Sequence, residues 1–258
     1  KRGAAETVKV SQEPVQQPIR KVLSIRTFWW LVLAGLAFNF ATYACNAFMV
    51  PLLMRYHGVS LVQASVATGV IVGLTGLFGL TLGGWVADRI HQRYARGRLI
   101  FAAVSMLIAT IATGYALLAG RIEVGMFVAV FSIGWLFSYN FYTCVYTAIQ
   151  DVVEPRLRAT AMALFFAGLY LLGGGMGTVV VGLLSDHFAE GAMLAAGASE
   201  MAEAFRAEGL HGAMYLIPAS LLLTMLFLFQ ASRTFCADTQ RMTAGMTADA
   251  PGAEAVPA

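Results

Sequence analysis

The sequence predicts an all-α membrane protein, built as a six-transmembrane-helix bundle. Of its 258 residues 59% are hydrophobic and only 12% are charged, with a mean hydropathy of +0.71. A soluble domain carries about 25% charged residues. The chain also contains six long segments without Asp, Glu, Lys or Arg, and about 20 apolar residues suffice for a helix to cross a bilayer core. These segments are too long and too uniformly apolar to be barrel strands, and a helix satisfies its own backbone in lipid.

The predicted spans are separated by short polar or basic connections. They run over 28–53, 62–87, 99–119, 124–149, 159–184 and 212–231. The longest connection, 185–211, has high helix propensity and is predicted to form a short helix outside the membrane, either as a plain connector or as a substrate gate. The domain organisation is therefore a linker or tail at 1–26, a helical bundle at 27–231 and a disordered tail at 232–258.

The distribution of Lys and Arg predicts the orientation of the bundle. Of the 17 Lys and Arg residues, only Arg55, Arg121 and Arg206 lie in the odd-numbered connections. All the others lie in the two tails and the even-numbered connections. By the positive-inside rule, both termini face the cytoplasm and the chain is a multi-pass protein of the inner membrane.

The remaining composition argues against several function classes. The basic pI of about 8.9 is explained by topology, so no nucleic-acid partner is expected. Cys45, Cys144 and Cys236 show no pairing or metal spacing and are predicted to be free thiols. The four histidines fall in predicted loops without a ligand partner. We therefore expect no metal, no cofactor and no enzymatic activity.

The stretch GGWVADRIHQR at 83–93 places an acid where span 2 leaves the membrane. The bases there follow the orientation rule, but an acid contributes little to it. Asp88 could instead cap a neighbouring helix or pair with a nearby base, and so hold two helices together on the cytoplasmic face. The alternative is a solvated carboxylate at a helix end.

Two stretches of the chain resemble motifs of the major facilitator superfamily. In 83–93, Gly84, Asp88, Arg89 and Arg93 match the family's G-x-x-x-D-R-x-x-x-R loop between its second and third helices. The segment 151–186 resembles the family's Pro-x-x-Arg-x-x-Ala helix entry, followed by a glycine-rich middle and a Gly-x-x-x-Asp exit. It contributes Arg156 and Arg158 to the same end of the bundle. The resemblance implies one half of a 12-helix major facilitator fold, with these charged residues forming a cytoplasmic gate.

Three features favour the C-terminal half, helices seven to twelve of such a transporter. The chain starts with Lys1 rather than Met, and 1–26 is similar to the basic linker between halves. The last residues are small and polar, as is typical of the end of a chain. The stretches SLVQASVATGVIVGLTGLFGLTLGGWVADRI and GLHGAMYLIP most resemble bacterial spinster-like members. Spinster transporters move sphingolipid- or lysolipid-type amphiphiles, and organic-anion symporters of the same superfamily are the close alternative.

Two polar stripes are candidates for the substrate cavity, because the first and fourth helices of each half line it in this superfamily. They consist of Asn39, Tyr43 and Asn46 in span 1 and of Tyr139, Tyr142 and Tyr146 in span 4. Spacings of three and four place each set on one helical face. The alternative is hydrogen bonding between helices, which stabilises membrane bundles in the same way.

Glycines at close spacing in spans 2 and 5 predict tight helix packing, with a bend as a further possibility. The set comprises Gly73, Gly76, Gly173, Gly174, Gly175 and Gly177.

The resulting hypothesis is half of a secondary transporter that works by alternating access with an N-terminal six-helix half. The substrate would be a lipid-like amphiphile or a related small solute. No span carries a charge, so any proton-coupling residue would lie in the other half. A small organic-anion symporter is the alternative, and a non-transporting membrane structural protein is a remote one. The expected partners are the second half, the lipid bilayer and the substrate.

Overall fold

The computed structural model describes residues 17–120 and 123–248, and these contain helices and turns but no strand. Six helical spans are long and apolar enough to cross a membrane, which confirms the predicted number and the all-α class. We number them span 1 (Arg26–Arg55), span 2 (Leu61–Arg93), span 3 (Gly97–Leu118), span 4 (Val124–Val152), span 5 (Pro155–Ala195) and span 6 (Glu203–Thr247).

Four of the spans are interrupted within the bundle. Span 2 consists of helices Leu61–Thr68 and Thr75–Arg93 joined by a π-helical segment, Gly69–Leu74. Span 5 repeats this design, with helices Arg158–Ala167 and Gly175–Ala195 around the π-helical segment Gly168–Gly174. Span 4 divides into Val124–Ser138 and Asn140–Val152, and span 6 into Glu203–Met214 and Leu216–Ala248. Two short helices, Pro18–Leu23 and the 3-10 turn Pro155–Leu157, complete the chain.

The connection between spans 5 and 6 differs from the prediction of a separate short helix. Span 5 continues to Ala195, and span 6 begins at Glu203 with a helix that packs along it. Gly209 makes this possible, because a β-carbon there would overlap the backbone of Ser185 and Ala189. The helical periodicity of 185–211 therefore reflects the end of span 5 and the start of span 6, not a separate helix.

The prediction of a disordered tail over 232–258 is also wrong for its first part. Residues up to Ala248 continue the last helix, while 249–258, like 1–16 of the predicted linker, lie outside the described residues. The helix has partners here, because the Asp238 carboxylate accepts hydrogen bonds from the Thr27 backbone N–H at 2.8 Å and its hydroxyl at 2.7 Å. An anion at this position caps the start of span 1 and complements its helix dipole.

Spans 1 and 4 meet at the centre of the bundle, where the Phe38 and Phe141 rings stack with centroids 4.3 Å apart. Span 1 also packs on spans 5 and 6, while span 4 packs on spans 2 and 3. Spans 2 and 5 are the least buried of the six. They expose rows of large apolar side chains, such as Leu77 and Leu82 on span 2 and Leu171 and Leu183 on span 5.

Candidate functional site

The bundle consists of two three-helix units, spans 1–3 and spans 4–6, and each π-helical segment accepts a hydrogen bond from a side chain of the other unit. The Asn39 amide donates to the Leu169 carbonyl at 2.6 Å, and the Tyr139 hydroxyl donates to the Val72 carbonyl at 2.7 Å. A π-turn interrupts the α-helical hydrogen-bond ladder, so it leaves a carbonyl that needs a partner in the membrane. Asn39, which is buried, and the partly buried Tyr139 therefore bond between helices, as in the alternative to a cavity role. That they line a substrate cavity stays a prediction.

Glycines allow the close approach at both crossings. A β-carbon on Gly76 would lie 3.1 Å from the Tyr139 ring, and one on Gly174 would lie 3.2 Å from the Tyr43 ring. Gly173 and Gly177 lie against backbone of span 1, where a β-carbon would approach the carbonyl oxygens of Leu36 and Phe40 to 2.9 and 2.5 Å.

The packing prediction is wrong for two members of the glycine set. A β-carbon on Gly73 or Gly175 would meet nothing within 4 Å, although both residues lie in or beside a π-helical segment. Sequence spacing alone could not separate them from the packed glycines, because each helix face changes its direction at the π-turn.

An aromatic surface connects spans 4 and 5. Tyr142 and Tyr146 have ring centroids 5.6 Å apart, Tyr146 and Phe166 are 5.4 Å apart, and Phe166 and Tyr170 are 5.9 Å apart. We call these four residues the tyrosine face. Tyr142 and Tyr146 were predicted site residues, whereas Phe166 and Tyr170 were missed. Their spacing of four on span 5 is the signal that could have found them.

The hydroxyl groups of Tyr146 and Tyr170, two members of the tyrosine face, find no hydrogen-bond acceptor in the part of the chain that the structure describes. Tyr170 lies near the middle of an apolar run, with half of its surface exposed. A hydroxyl is costly in hydrocarbon without a partner, so this surface suits contact with water or a polar solute. Tyr43 and Asn46 of span 1 are exposed as well.

Ion pairs join three spans at the arginine-rich end of the bundle, where Asp88 and Arg98 lie. Arg98 Nη2 donates to Asp88 Oδ1 at 3.1 Å, and Arg98 Nη1 donates to Asp151 Oδ2 at 3.0 Å. The Arg98 side chain is only 10% exposed. One guanidinium therefore links the end of span 2, the start of span 3 and the end of span 4. Sequence reasoning anticipated a base for Asp88 but missed Arg98 and Asp151, which resembled ordinary topology charges.

The other predicted gate residues divide into two groups. Arg158 Nε donates to the Gln150 carbonyl at 3.0 Å, across the turn from span 4 to span 5, and Arg156 lies 3.9 Å from Glu154 beside it. Arg89 instead lies over the Trp85 ring at 4.0 Å, and Arg93 lies one turn further on.

Gly84 faces span 4 at this end of the bundle. A β-carbon on Gly84 would lie 3.7 Å from Thr143 Cγ2, which is ordinary van der Waals contact.

A ring cluster closes the opposite end of the bundle, where Tyr56 and His211 lie. The His211 ring stacks on Tyr56 with centroids 4.1 Å apart and planes within 1°. His211 Nε2 donates to the Leu117 carbonyl at 3.0 Å, which requires the tautomer protonated on Nε2. The prediction that all histidines lie in loops is wrong for His91, His187 and His211, which are in helices.

No three His, Cys, Asp or Glu side chains within the described ranges converge as metal ligands. The arrangement thus offers hydrogen-bonding hydroxyls and aromatic surface inside the bundle and fixed charge at one end.

Comparison with known proteins identifies the family to which this fold belongs. The Major Facilitator Superfamily profile matches residues 2–178. An MFS-type efflux pump of Mycolicibacterium smegmatis is 32% identical over 175 residues, covering 63% of this chain and 39% of the pump. The hexuronate transporter of Bacillus subtilis is 25% identical over 199 residues, covering 75% of this chain and 47% of that transporter. The chain thus spans less than half the length of these relatives.

Solved structures agree with this assignment. A bacterial homologue of the human lysosomal transporter Spinster, in an inward-facing and unoccupied conformation, superposes with a TM-score of 0.71 at 26% identity, over 89% of this chain and 54% of that one. The inward-open xylose transporter XylE from E. coli shares the fold, with a TM-score of 0.56 at 17% identity over 90% of this chain and 58% of that one. The six-helix bundle is one half of such a fold. The chain belongs to the Major Facilitator Superfamily and resembles its spinster-type members.

Proposed function

We propose that this chain is the C-terminal half, helices seven to twelve, of a secondary transporter that moves a lipid-like amphiphile by alternating access. The partner is an N-terminal six-helix half, and the substrate crosses between the two halves near the bilayer midplane. In the orientation favoured by the Lys and Arg distribution, both termini and the arginine-rich end face the cytoplasm of an inner-membrane protein.

The tyrosine face is the observation that carries this proposal. It gives a continuous aromatic surface with hydroxyl groups at Tyr146 and Tyr170, and the uncharged runs at the middle of the six spans place no charge beside it. Such a surface can contact an acyl chain with its rings and a neutral or zwitterionic polar group with its hydroxyls. The likeness to the Spinster homologue supports a transporter of that type, and the resemblance of the sequence to spinster-like members implies an amphiphile as its substrate.

The ion network at the arginine-rich end suits a cytoplasmic gate. Arg98 is buried, while the Asp88 side chain is 67% exposed, so this carboxylate lies at the outer edge of the network. A contact at that edge can separate while Arg98 keeps Asp151. The pair Arg98–Asp88 is thus suited to open and close, and the pair Arg98–Asp151 to remain formed.

A small organic anion is the alternative substrate, favoured by the similarity to the hexuronate transporter. An anionic substrate needs a cation in the cavity. The uncharged runs at the middle of the six spans supply none, so a cation at that depth would come from the other half. The same holds for a proton-coupling residue.

The test is transport by proteoliposomes that contain both halves. Uptake of a labelled lysolipid and of a hexuronate is followed with and without a proton gradient, for wild type, Tyr146→Phe and Tyr170→Phe. The matched control is Tyr115→Phe, which alters an exposed tyrosine on span 3, away from the tyrosine face.

We expect lysolipid transport to fall about threefold to tenfold in the two face variants, since each loses about one hydrogen bond, and to be unchanged in the control. Hexuronate uptake without lysolipid movement would replace the amphiphile by the organic anion. Equal lysolipid transport by all four proteins would remove the tyrosine face from the substrate path.

A further inference from the structure

The last two turns of span 2 form a groove at the arginine-rich end, separate from the tyrosine face. It is an open groove of about 630 Å³, whose lining includes Trp85, Arg89, Ile90, Gln92, Arg93 and Tyr94. Trp85 and Tyr94 are both more than half exposed. Neither the transport path nor the ion network uses these side chains.

The charge of the groove is positive because its neighbouring acid faces elsewhere. Asp88 is the one acidic residue in 83–93, and its carboxylate is bound to Arg98. Within the described part of the chain, no carboxylate lies in ion-pair distance of Arg89 or Arg93. Arg89 is fixed over the Trp85 ring at 4.0 Å, which orders its guanidinium without neutralising it. Two arginines are thus left to meet an anion from outside the bundle.

The position of the groove determines which anion it meets. The uncharged run of span 2 ends at Ala87, so the groove lies at the boundary between the hydrocarbon core and the head-group region of the bilayer. Trp, Tyr and Arg are the residues that anchor a span at this depth. Lipid phosphates lie there, and the cytoplasmic leaflet is rich in anionic lipids.

We propose that this groove binds the phosphate head group of an anionic phospholipid. Arg89 and Arg93 donate to the phosphate oxygens, as guanidinium groups do at phosphate sites. The rings of Trp85 and Tyr94 contact the glycerol and the first acyl carbons, and Gln92 offers an amide to a head-group hydroxyl. The inference goes beyond the transport function, because it concerns a bound lipid at the rim of the bundle.

The experiment measures lipid binding by the delipidated protein with both halves present. Native mass spectrometry follows the binding of phosphatidylglycerol and of phosphatidylcholine with identical acyl chains. The variants are Arg89→Gln, Arg93→Gln and the double variant. The matched control is Arg233→Gln, because Arg233 also stacks on a ring at the same end, 4.8 Å over Phe229, but lines no part of this groove.

We expect phosphatidylglycerol to bind more tightly than phosphatidylcholine. The affinity for phosphatidylglycerol should fall about fivefold in each single variant and about thirtyfold in the double variant. Each basic residue near a lipid surface strengthens binding about fivefold, and the two contributions multiply. The control should bind like wild type. Transport is not measured, so failure of the transport proposal leaves this result unchanged.

Three outcomes would overturn the proposal. Equal phosphatidylglycerol binding by wild type and double variant would place the lipid elsewhere. Displacement of the lipid by millimolar inorganic phosphate would make the groove a site for free phosphate. Protection of a Trp85→Cys thiol from a soluble maleimide in the delipidated protein with both halves present would identify the second half as the occupant.

Discussion

The crossing of spans 2 and 4 and the crossing of spans 5 and 1 follow one design with different chemistry. At each, a π-helical segment receives one side-chain hydrogen bond, and glycines bring a backbone against a carbonyl. The donor is the fully buried Asn39 in one case and the half-buried Tyr139 in the other. This relation matches the inverted three-helix repeats of the superfamily, and it shows that the geometry is repeated while the polar group is not.

The two crossings also differ in what secures the ends of their helices. Beside the span 2–span 4 crossing, the buried Arg98 binds two carboxylates. The matching position beside the span 5–span 1 crossing has the exposed pair Arg55–Glu203 at 3.5 Å, with the Tyr56–His211 stack next to it. We infer that one end depends on desolvated charge and the other on aromatic contact.

The largest effect is expected from filling the glycine contacts. Gly79→Leu at one crossing and Gly177→Leu at the other would each force a side chain into a carbonyl that a β-carbon already approaches to 2.5 Å. Each should cost about 3 kcal/mol or more, because backbone cannot give way as a side chain can. The measurement is the apparent melting temperature in detergent.

Gly73→Leu and Gly175→Leu are the controls for this pair, since nothing lies within 4 Å of either position. Both should melt within a few degrees of wild type. The two crossings would not be equivalent if the melting temperatures of Gly79→Leu and Gly177→Leu differed from each other as much as either differs from that of its control.

Arg98→Gln should have the next largest effect. It leaves the two carboxylates of Asp88 and Asp151 facing each other without a cation, and we expect a loss of about 2–3 kcal/mol. Arg55→Gln removes the equivalent exposed pair, whose side chains are 43% and 68% exposed, and should cost less than about 1 kcal/mol. Comparable losses in unfolding by a denaturing detergent would contradict the contrast between the two ends.

Removing the π-segment hydrogen bonds should have smaller, unequal effects. Asn39→Leu leaves the Leu169 carbonyl unpaired in a buried position and should cost about 1–2 kcal/mol, against about 0.6 kcal/mol for Tyr139→Phe. The same melting assay applies, with Thr81→Val as the control because that hydroxyl bonds only within its own helix. If Tyr139→Phe lost more than Asn39→Leu, burial would not decide the strength of these bonds.

The smallest effect is expected from Asp88→Asn. The carboxylate is 67% exposed and Arg98 retains Asp151, so stability should change by less than about 1 kcal/mol. If the pair Arg98–Asp88 is a gate, the rate of substrate release in proteoliposomes should rise while the melting temperature stays the same as in wild type. A melting shift as large as that of Arg98→Gln would show that the pair is structural.

Local pattern was sufficient for the spans but not for their interruptions. The uncharged runs predicted all six spans, since crossing a bilayer imposes length and apolarity on contiguous residues. The π-helical segments depend on which carbonyl meets Asn39 or Tyr139 across the bundle, a relation with no trace in local spacing. The helix beyond residue 231 was missed because its anchor, Asp238, binds Thr27 at the far end of the chain.

The candidate site divides in the same way. The tyrosines of span 4 stood out because polar groups are rare in an apolar run, yet Tyr139 and Tyr146 have different roles. Tyr170 was missed because its spacing of four from Phe166 is its one local signal, and a single tyrosine among leucines and glycines has no polar residue beside it. Only the packing of span 5 beside span 4 assigns it to the same surface.

The sequence by itself determined the membrane class, the number of spans, the superfamily and the end of the bundle where charge collects. The superfamily was predicted from the resemblance of 83–93 and 151–186 to its motifs. The other three follow from the cost of placing charge or unpaired backbone in hydrocarbon, which acts residue by residue along the chain. Only the tertiary structure decided which glycines pack, which polar groups bond between helices, and that Arg98 binds Asp88 and Asp151 together. These outcomes depend on contacts between residues distant in sequence, so they are fixed only when the helices have packed.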